Sequence, residues 1–123
     1  MDSGLASKVL IDTNSLIYSI ENRVNLKDLL QEVPEVNGIL VPECVHRELQ
    51  AMSGNRKYAR GALELSEKFD RIPGEGYADD CIIEIAVRGH YFILSNDRAL
   101  QKRAKEAGIR TLVLRGNRKV EFA

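Results

Sequence analysis

The sequence predicts an α/β fold in which helices cover both faces of a parallel sheet. Three observations lead there. The apolar runs at 8–12 ("KVLID"), 38–41 ("GILV"), 91–96 ("YFILSN") and 111–114 ("TLVL") are short and continuous, as in strands buried on both faces. Stretches with helical spacing separate them. Proline, glycine and polar caps punctuate the boundaries.

The elements follow in order. After the first strand, "TNSLIYSIENRV" has helical spacing at Leu16, Ile17 and Ile20, with 12–14 as cap candidates. "NLKDLLQEV" is a second helix, stopped by Pro34. Pro42 suits the first turn of the helix "PECVHRELQAM", which "SGN" breaks. "RKYARGALELSEKFDRI" reads as one long amphipathic helix, closed by "PGEG". "ADDCIIEIAVRG" is a helix ending at Gly89, and "DRALQKRAKEAG" is another, ending at Gly108 before the last strand.

With 123 residues the chain is expected to form a single domain, 1–123, and it contains no internal repeat or linker. No apolar run has membrane-spanning length, and "MDSGLASKVLID" lacks the basic start and long apolar stretch of a secretory signal, so cytoplasmic residence is expected. Cys44 and Cys81 belong to no CxxC; they are expected to be small buried hydrophobes and not part of a zinc site. The formal net charge is zero but unevenly spread: from Arg98 onward there are eight Lys or Arg against two Glu. A basic end of this kind can grip an anionic polymer, or be an ordinary solvated surface.

The acidic residues are more informative. In open α/β sheets, ligands bind beyond the carboxyl ends of the strands. Asp12 and Asp97 follow strands there, and each is also a competent helix cap. Asp79 shares offsets i, i+3, i+4 and i+7 with Ile82, Ile83 and Ala86, so it heads an apolar stripe; Glu48 interrupts another, with Val45, Leu49 and Met52. An ionised carboxylate facing a core is costly unless it is paired or metal-bound. Crowded carboxylates raise one another's pKa, and a hard divalent cation reverses the penalty. Mg2+ or Mn2+, one or two ions, is the expected cofactor, held by Asp12, Glu48, Asp79 and Asp97. Asn14, Ser95 and Asn96 flank the aspartates and either hold ligand carboxylates or water, or serve turns and caps. Neither His46 nor His90 has a Ser or Cys partner of triad character, and no phosphate-binding glycine loop is present.

Four boxes, "VLIDTNSLIYSI", "VPECVHREL", "GYADDCII" and "FILSNDRALQKRA", in this order resemble the PIN-domain nucleases, and in particular the branch that processes small-subunit ribosomal RNA. The resemblance runs from about residue 8 to 121. The short length is more like an archaeal member, and the extra cysteines and extensions of eukaryotic relatives are missing. The resemblance implies a three-layer α/β/α sandwich with a central parallel sheet of four to five strands. It also implies hydrolysis of RNA phosphodiesters by a Mg2+- or Mn2+-dependent endonuclease, leaving a 5′-phosphate and a 3′-hydroxyl. The catalytic acids it assigns are Asp12, Glu48, Asp79 and Asp97, with Asp80 auxiliary, touching metal through water or holding a basic neighbour. The expected partner is RNA, a ribosomal RNA precursor. Arg98, Lys102, Arg103 and Lys105 beside Asp97, and Arg56 and Lys57 with Tyr58, are candidates for its backbone and bases. Apolar residues on the 13–21 and 58–69 helices serve either a homodimer or the core. The rival readings are a toxin-type ribonuclease of a toxin–antitoxin pair and a non-catalytic RNA-binding module. A phospho-acceptor receiver domain fits poorly, because Arg115 stands where such a domain wants a lysine.

Overall fold

The computed structural model describes residues 6–123, so the first part of the N-terminal stretch read for a signal lies outside the described residues. The order of elements is β1 (Ser7–Ile11), α1 (Thr13–Glu21), α2 (Leu26–Gln31), β2 (Val36–Pro42), α3 (Glu43–Met52), α4 (Ala59–Ser66), β3 (Asp70–Ile72), α5 (Ala78–Gly89), β4 (Phe92–Leu94), α6 (Arg98–Glu106), β5 (Thr111–Arg115) and β6 (Lys119–Phe122). The strands make one sheet in the order β3-β2-β1-β4-β5-β6, parallel except for β6.

β1 is the axis of the sheet. Val9, Leu10 and Ile11 are completely buried because helices lie above and below them. Val9 and Ile11 join one core cluster with Leu16, Leu30, Leu49 and Ala62. Leu10 joins the other, with Ile82, Ile85, Leu100 and Ala104. The period-2 geometry of a strand thus splits "VLI" between two layers of helices. After β1 the chain adds β2 and β3 on one side, then crosses to add β4 and β5 on the other. That reversal opens a crevice at the carboxyl ends of β1 and β4. Among the described residues, no helix is long and apolar enough to cross a membrane.

Three local readings of the sequence change. The long helix expected over 56–72 is only α4. Tyr58 precedes it with φ of 68°, and the chain after Ser66 turns to become β3, in register with Leu40, Val41 and Pro42 of β2. Pairing with β2 gives this backbone its hydrogen-bond partners, while Phe69 packs against the core. β6 is an added sixth strand. Gly116, at φ 61°, closes a tight hairpin that folds "KVEF" back on β5.

The third change concerns the cysteines. Cys44 and Cys81 are buried, as expected, but they are joined in a disulfide, with Cα atoms 6.6 Å apart and a sequence separation of 37. The bridge ties α3 to α5. Gly74 lies directly against it: a Cβ built there would stand 2.6 Å from Cys81 Sγ and 2.6 Å from the tip of Ile85. The Gly74 carbonyl accepts a hydrogen bond of 2.8 Å from Arg47 on α3. Ile85 can rotate away, but the bridged sulfur cannot. Gly74→Ala is therefore expected to destabilise the protein by about 1–3 kcal/mol, as measured by denaturant unfolding.

Candidate active site

Asp12 directly follows β1 and caps α1; its Oδ1 accepts from the Ser15 N–H at 2.8 Å. Asp97 caps α6 in the same way, with Oδ1 accepting from Ala99 and Leu100 at 2.8 and 3.1 Å. Both aspartates are caps, and both also line one cleft at the carboxyl end of the sheet, so the two readings coexist. Glu48 enters the cleft from α3 and Asp79 from the first turn of α5. The cleft has a volume of about 250 Å³, and Asn14 and Arg56 also line it. A wider groove of about 840 Å³ near the start of β2 has Asp70 as its one acid, and offers no comparable chemistry.

Hydrogen bonds hold the acids in place. Thr13 Oγ1 donates to Glu48 Oε1, joining α1 to α3. Ser95, wholly buried under the cleft, accepts from the Asp97 N–H at 3.0 Å. Among the described residues, Glu48 Oε2 and Asp97 Oδ2 have no hydrogen-bond or salt-bridge partner. Thr13, expected only as a cap candidate, and Ser15, given no role, are supports; their place in "DTNS" immediately after a buried strand is the available signal.

Asp12 and Asp79 differ in setting. Asp12 is buried, and burial pushes its carboxyl above the usual range; the Asp97 charge adds to this, while hydrogen bonding from Ser15 and Ser95 opposes it. Asp79 is also raised, first by desolvation, then by the charges of Asp97 and Glu48, with Arg103 opposing. Yet Asp79 and Glu48 are both solvent-exposed, which corrects the expectation that they face a core. The buried stripes are Cys81, Ile82, Ile85 and Ala86 on α5, and Cys44, Val45, His46 and Leu49 on α3. The two acids stand at the margin of these stripes, where each helix overhangs the crevice.

Raised carboxyls mean that the folded, metal-free chain holds protons more tightly than the unfolded chain. The contribution of these two carboxyls to stability is then fully present below the ordinary aspartate value of 3.8 and is lost as pH rises through the higher folded values. In EDTA, melting temperature is expected to drop more steeply as pH rises above about 4 for the native sequence than for Asp12→Asn.

The other candidates lie outside the cleft lining. Asp80 is exposed and accepts from Arg103 at 2.8 Å, which ties α5 to α6. Asn96 spends its amide on Leu114, donating at 3.0 Å and accepting at 2.8 Å, and so joins β4 to β5. Lys57 sits 5.1 Å from the Tyr58 ring centre, over its face. Arg98 and Lys102 are exposed on α6. His46 Nδ1 lies 3.0 Å from the buried Ser66 hydroxyl, which donates to the Leu63 carbonyl at 2.6 Å. Ser66 therefore accepts from His46, burial lowers the imidazole's affinity for a second proton, and the pair is a structural link, not a nucleophile.

The acidic side chains at the cleft offer only oxygen donors, which suits a hard divalent cation. Among the described residues, no group of three or more His, Cys, Asp or Glu side chains is placed to hold a metal ion. The acids form an open rim and not a closed shell. Mg2+ binds in this manner, through one or two carboxylates, and keeps several waters.

Residues 9–117 match the family model described as a PIN like domain. The chain is 32% identical over 127 residues to ribonuclease VapC9 of Archaeoglobus fulgidus, covering 97% of this chain and 93% of that protein. It superposes on the PIN domain endonuclease Utp24 with a TM-score of 0.82 and 27% identity, covering 97% of this chain and 92% of that one. Matched over most of its length in sequence and over nearly all of it in fold, the chain belongs to the PIN-like domain family.

Proposed function

We propose that this chain is a Mg2+- or Mn2+-dependent endoribonuclease that hydrolyses phosphodiester bonds in a ribosomal RNA precursor in the cytoplasm. The observation that carries the proposal is the meeting of Asp12, Glu48, Asp79 and Asp97, from four separate segments, at one cleft. The likeness to a ribonuclease and to an endonuclease supports the reaction class.

The chain's own groups divide the work. Asp12, Glu48, Asp79 and Asp97 would hold the divalent ions, which when bound position a phosphate oxygen and make a water nucleophilic. Thr13 fixes one oxygen of Glu48 and leaves the other turned to a ligand; the α6 amides do the same for Asp97. Ser15 and Ser95 orient Asp12 in its buried setting. Arg56, on the cleft lining, is placed to take a phosphate oxygen of the incoming strand. Arg98 and Lys102 extend the cationic track along α6, where contacts to the backbone weaken with salt. Arg103 is already paired with Asp80 and serves α5–α6 alignment before it serves RNA.

The test is cleavage of end-labelled RNA by purified protein with Mn2+ and with EDTA. Internal cuts leaving a 5′-phosphate, made with Mn2+ and abolished by EDTA, are the expected result. RNA bound without divalent-ion uptake and without cleavage would favour the non-catalytic module. A second reading keeps the chemistry and changes the target: a toxin-type ribonuclease of a toxin–antitoxin pair, favoured by the 32% identity to ribonuclease VapC9. A small antitoxin gene beside this one would select it.

A further inference from the structure

The carboxylates of the cleft repel a polyanion, and Arg56 is the one basic residue among its lining. Grip on a nucleic-acid strand must therefore come from outside the cleft. The β5–β6 hairpin is placed to supply it. The Asn96 amide donates to the Leu114 carbonyl at 3.0 Å and accepts from the Leu114 N–H at 2.8 Å, which extends the pairing of β4 with β5. Asp97 and Arg115 each stand one residue beyond that link. β5 lies one strand from β4 and two from β1, about 5 and 10 Å at the usual spacing. All three run parallel, so the hairpin turn projects from the same end of the sheet as Asp12 and Asp97. Tyr18 of α1 steadies the turn by donating to the Gly116 carbonyl at 3.4 Å.

One face of this hairpin is cationic. Leu114 and Val120 turn to the core cluster that holds Leu16 and Ile17 of α1. By the period of two, Arg115, Lys119 and Glu121 share the opposite face, on which α6 packs. Arg115 and Lys119 both engage Glu121, at 2.8 and 3.0 Å. Hydrogen bonds from Arg115 and then Lys119 hold the Glu121 carboxyl below its ordinary range, so it stays ionised. Arg118 sits in the turn, exposed, and makes no ion pair among the described residues. One anion thus offsets two cations at the base of the hairpin and leaves a third unopposed at its tip. Building on the ribonuclease reading, we propose that this hairpin is an RNA-backbone contact surface, in which Arg118 takes a phosphate beyond the one in the cleft and Glu121 limits how tightly Arg115 and Lys119 hold the strand. Contacts of this kind position the strand and carry no base preference.

The probe is a fluorescein-labelled RNA of about 12 nucleotides, long enough to span one binding surface, followed by anisotropy in EDTA. Arg118→Gln is expected to weaken binding about 3- to 10-fold and to make the salt dependence of log Kd shallower by about 0.7, the value for one phosphate of a single strand. Glu121→Gln is expected to act the other way, tightening binding about 2- to 5-fold with a steeper salt dependence. With Mn2+, Arg118→Gln should raise KM for the long RNA with a smaller change in kcat. Its effect should vanish on a dinucleotide, whose single phosphodiester occupies the cleft. Arg118 is exposed, so the melting temperature of Arg118→Gln should match the native protein. Native binding and salt slope in Arg118→Gln would overturn the contact surface and leave the nuclease standing. Binding that depends on Arg118, without cleavage by the native protein, would keep the surface and remove the nuclease. Weaker binding in Glu121→Gln would overturn the limiting role of that carboxylate. Displacement of the RNA by polyglutamate more readily than by unlabelled RNA would assign the hairpin to an acidic protein instead.

Discussion

Replacing Asp12 or Asp79 with asparagine is expected to reduce Mn2+-dependent RNA cleavage by at least about 100- to 1000-fold, the loss seen when one preorganised electrostatic group is removed from an active site. The two variants reach that result from different ground states. Asp12 is buried with its charge desolvated, so an amide of the same shape relieves a penalty, and Ser15 keeps an acceptor for its N–H. The metal-free Asp12→Asn protein should therefore melt no lower than the native one at neutral pH. Asp79 is exposed, and its substitution should leave metal-free stability within about 0.5 kcal/mol. Asp80→Asn is the internal control. Its carboxylate is engaged with Arg103 at the surface, a kind of pair that contributes about 1 kcal/mol or less, and cleavage should stay near native. Melting curves and initial rates on one labelled RNA measure all three. Cleavage that survives in Asp12→Asn or Asp79→Asn would remove the proposed site.

The second large effect concerns the bridge between α3 and α5. Closing a loop across 37 positions restricts the unfolded chain, and the entropic model gives about 4 kcal/mol for its loss. For a domain of this size, that is a fall of about 10–20 °C in Tm. The double variant Cys44→Ala/Cys81→Ala, or the native protein in reductant, should show it. Metal binding should weaken as well, because Glu48 rides on α3 and Asp79 on α5, and the bridge sets the distance between those helices. Calorimetric titration with Mn2+ measures that weakening. Thiol titration of the denatured, unreduced protein gives an independent check: two free thiols would remove the premise.

What the residues disclose and what they hide follows from the range of each interaction. The four central strands are legible because strands buried on both faces must be apolar through their buried part, and "VLI", "ILV", "FIL" and "LVL" are. Asp12 and Asp97 are legible because the polar residues that follow such runs must lie at the carboxyl end of the sheet. β3 is hidden because Leu65, Phe69 and Ile72 fall at i, i+4 and i+7, a helical spacing, and only pairing with β2 decides the conformation of Asp70–Ile72. β6 is masked by its charges, although Gly116-Asn117 between "TLVLR" and "KVEF" is a usable hairpin signal. The exposure of Glu48 and Asp79 escapes a helical-wheel argument because the wheel cannot tell where the partner layer stops. The cysteine pairing depends on where two distant helices lie, which spacing alone does not determine.

The sulfur link also sets a condition on the host. Glutathione and thioredoxin keep most cytosolic proteins in the dithiol form. The tie between α3 and α5 is expected to persist only where cysteines stay oxidised, which thiol titration of protein extracted under non-reducing conditions would check. Heat resistance would then come from a covalent tie that a reducing compartment would tend to undo.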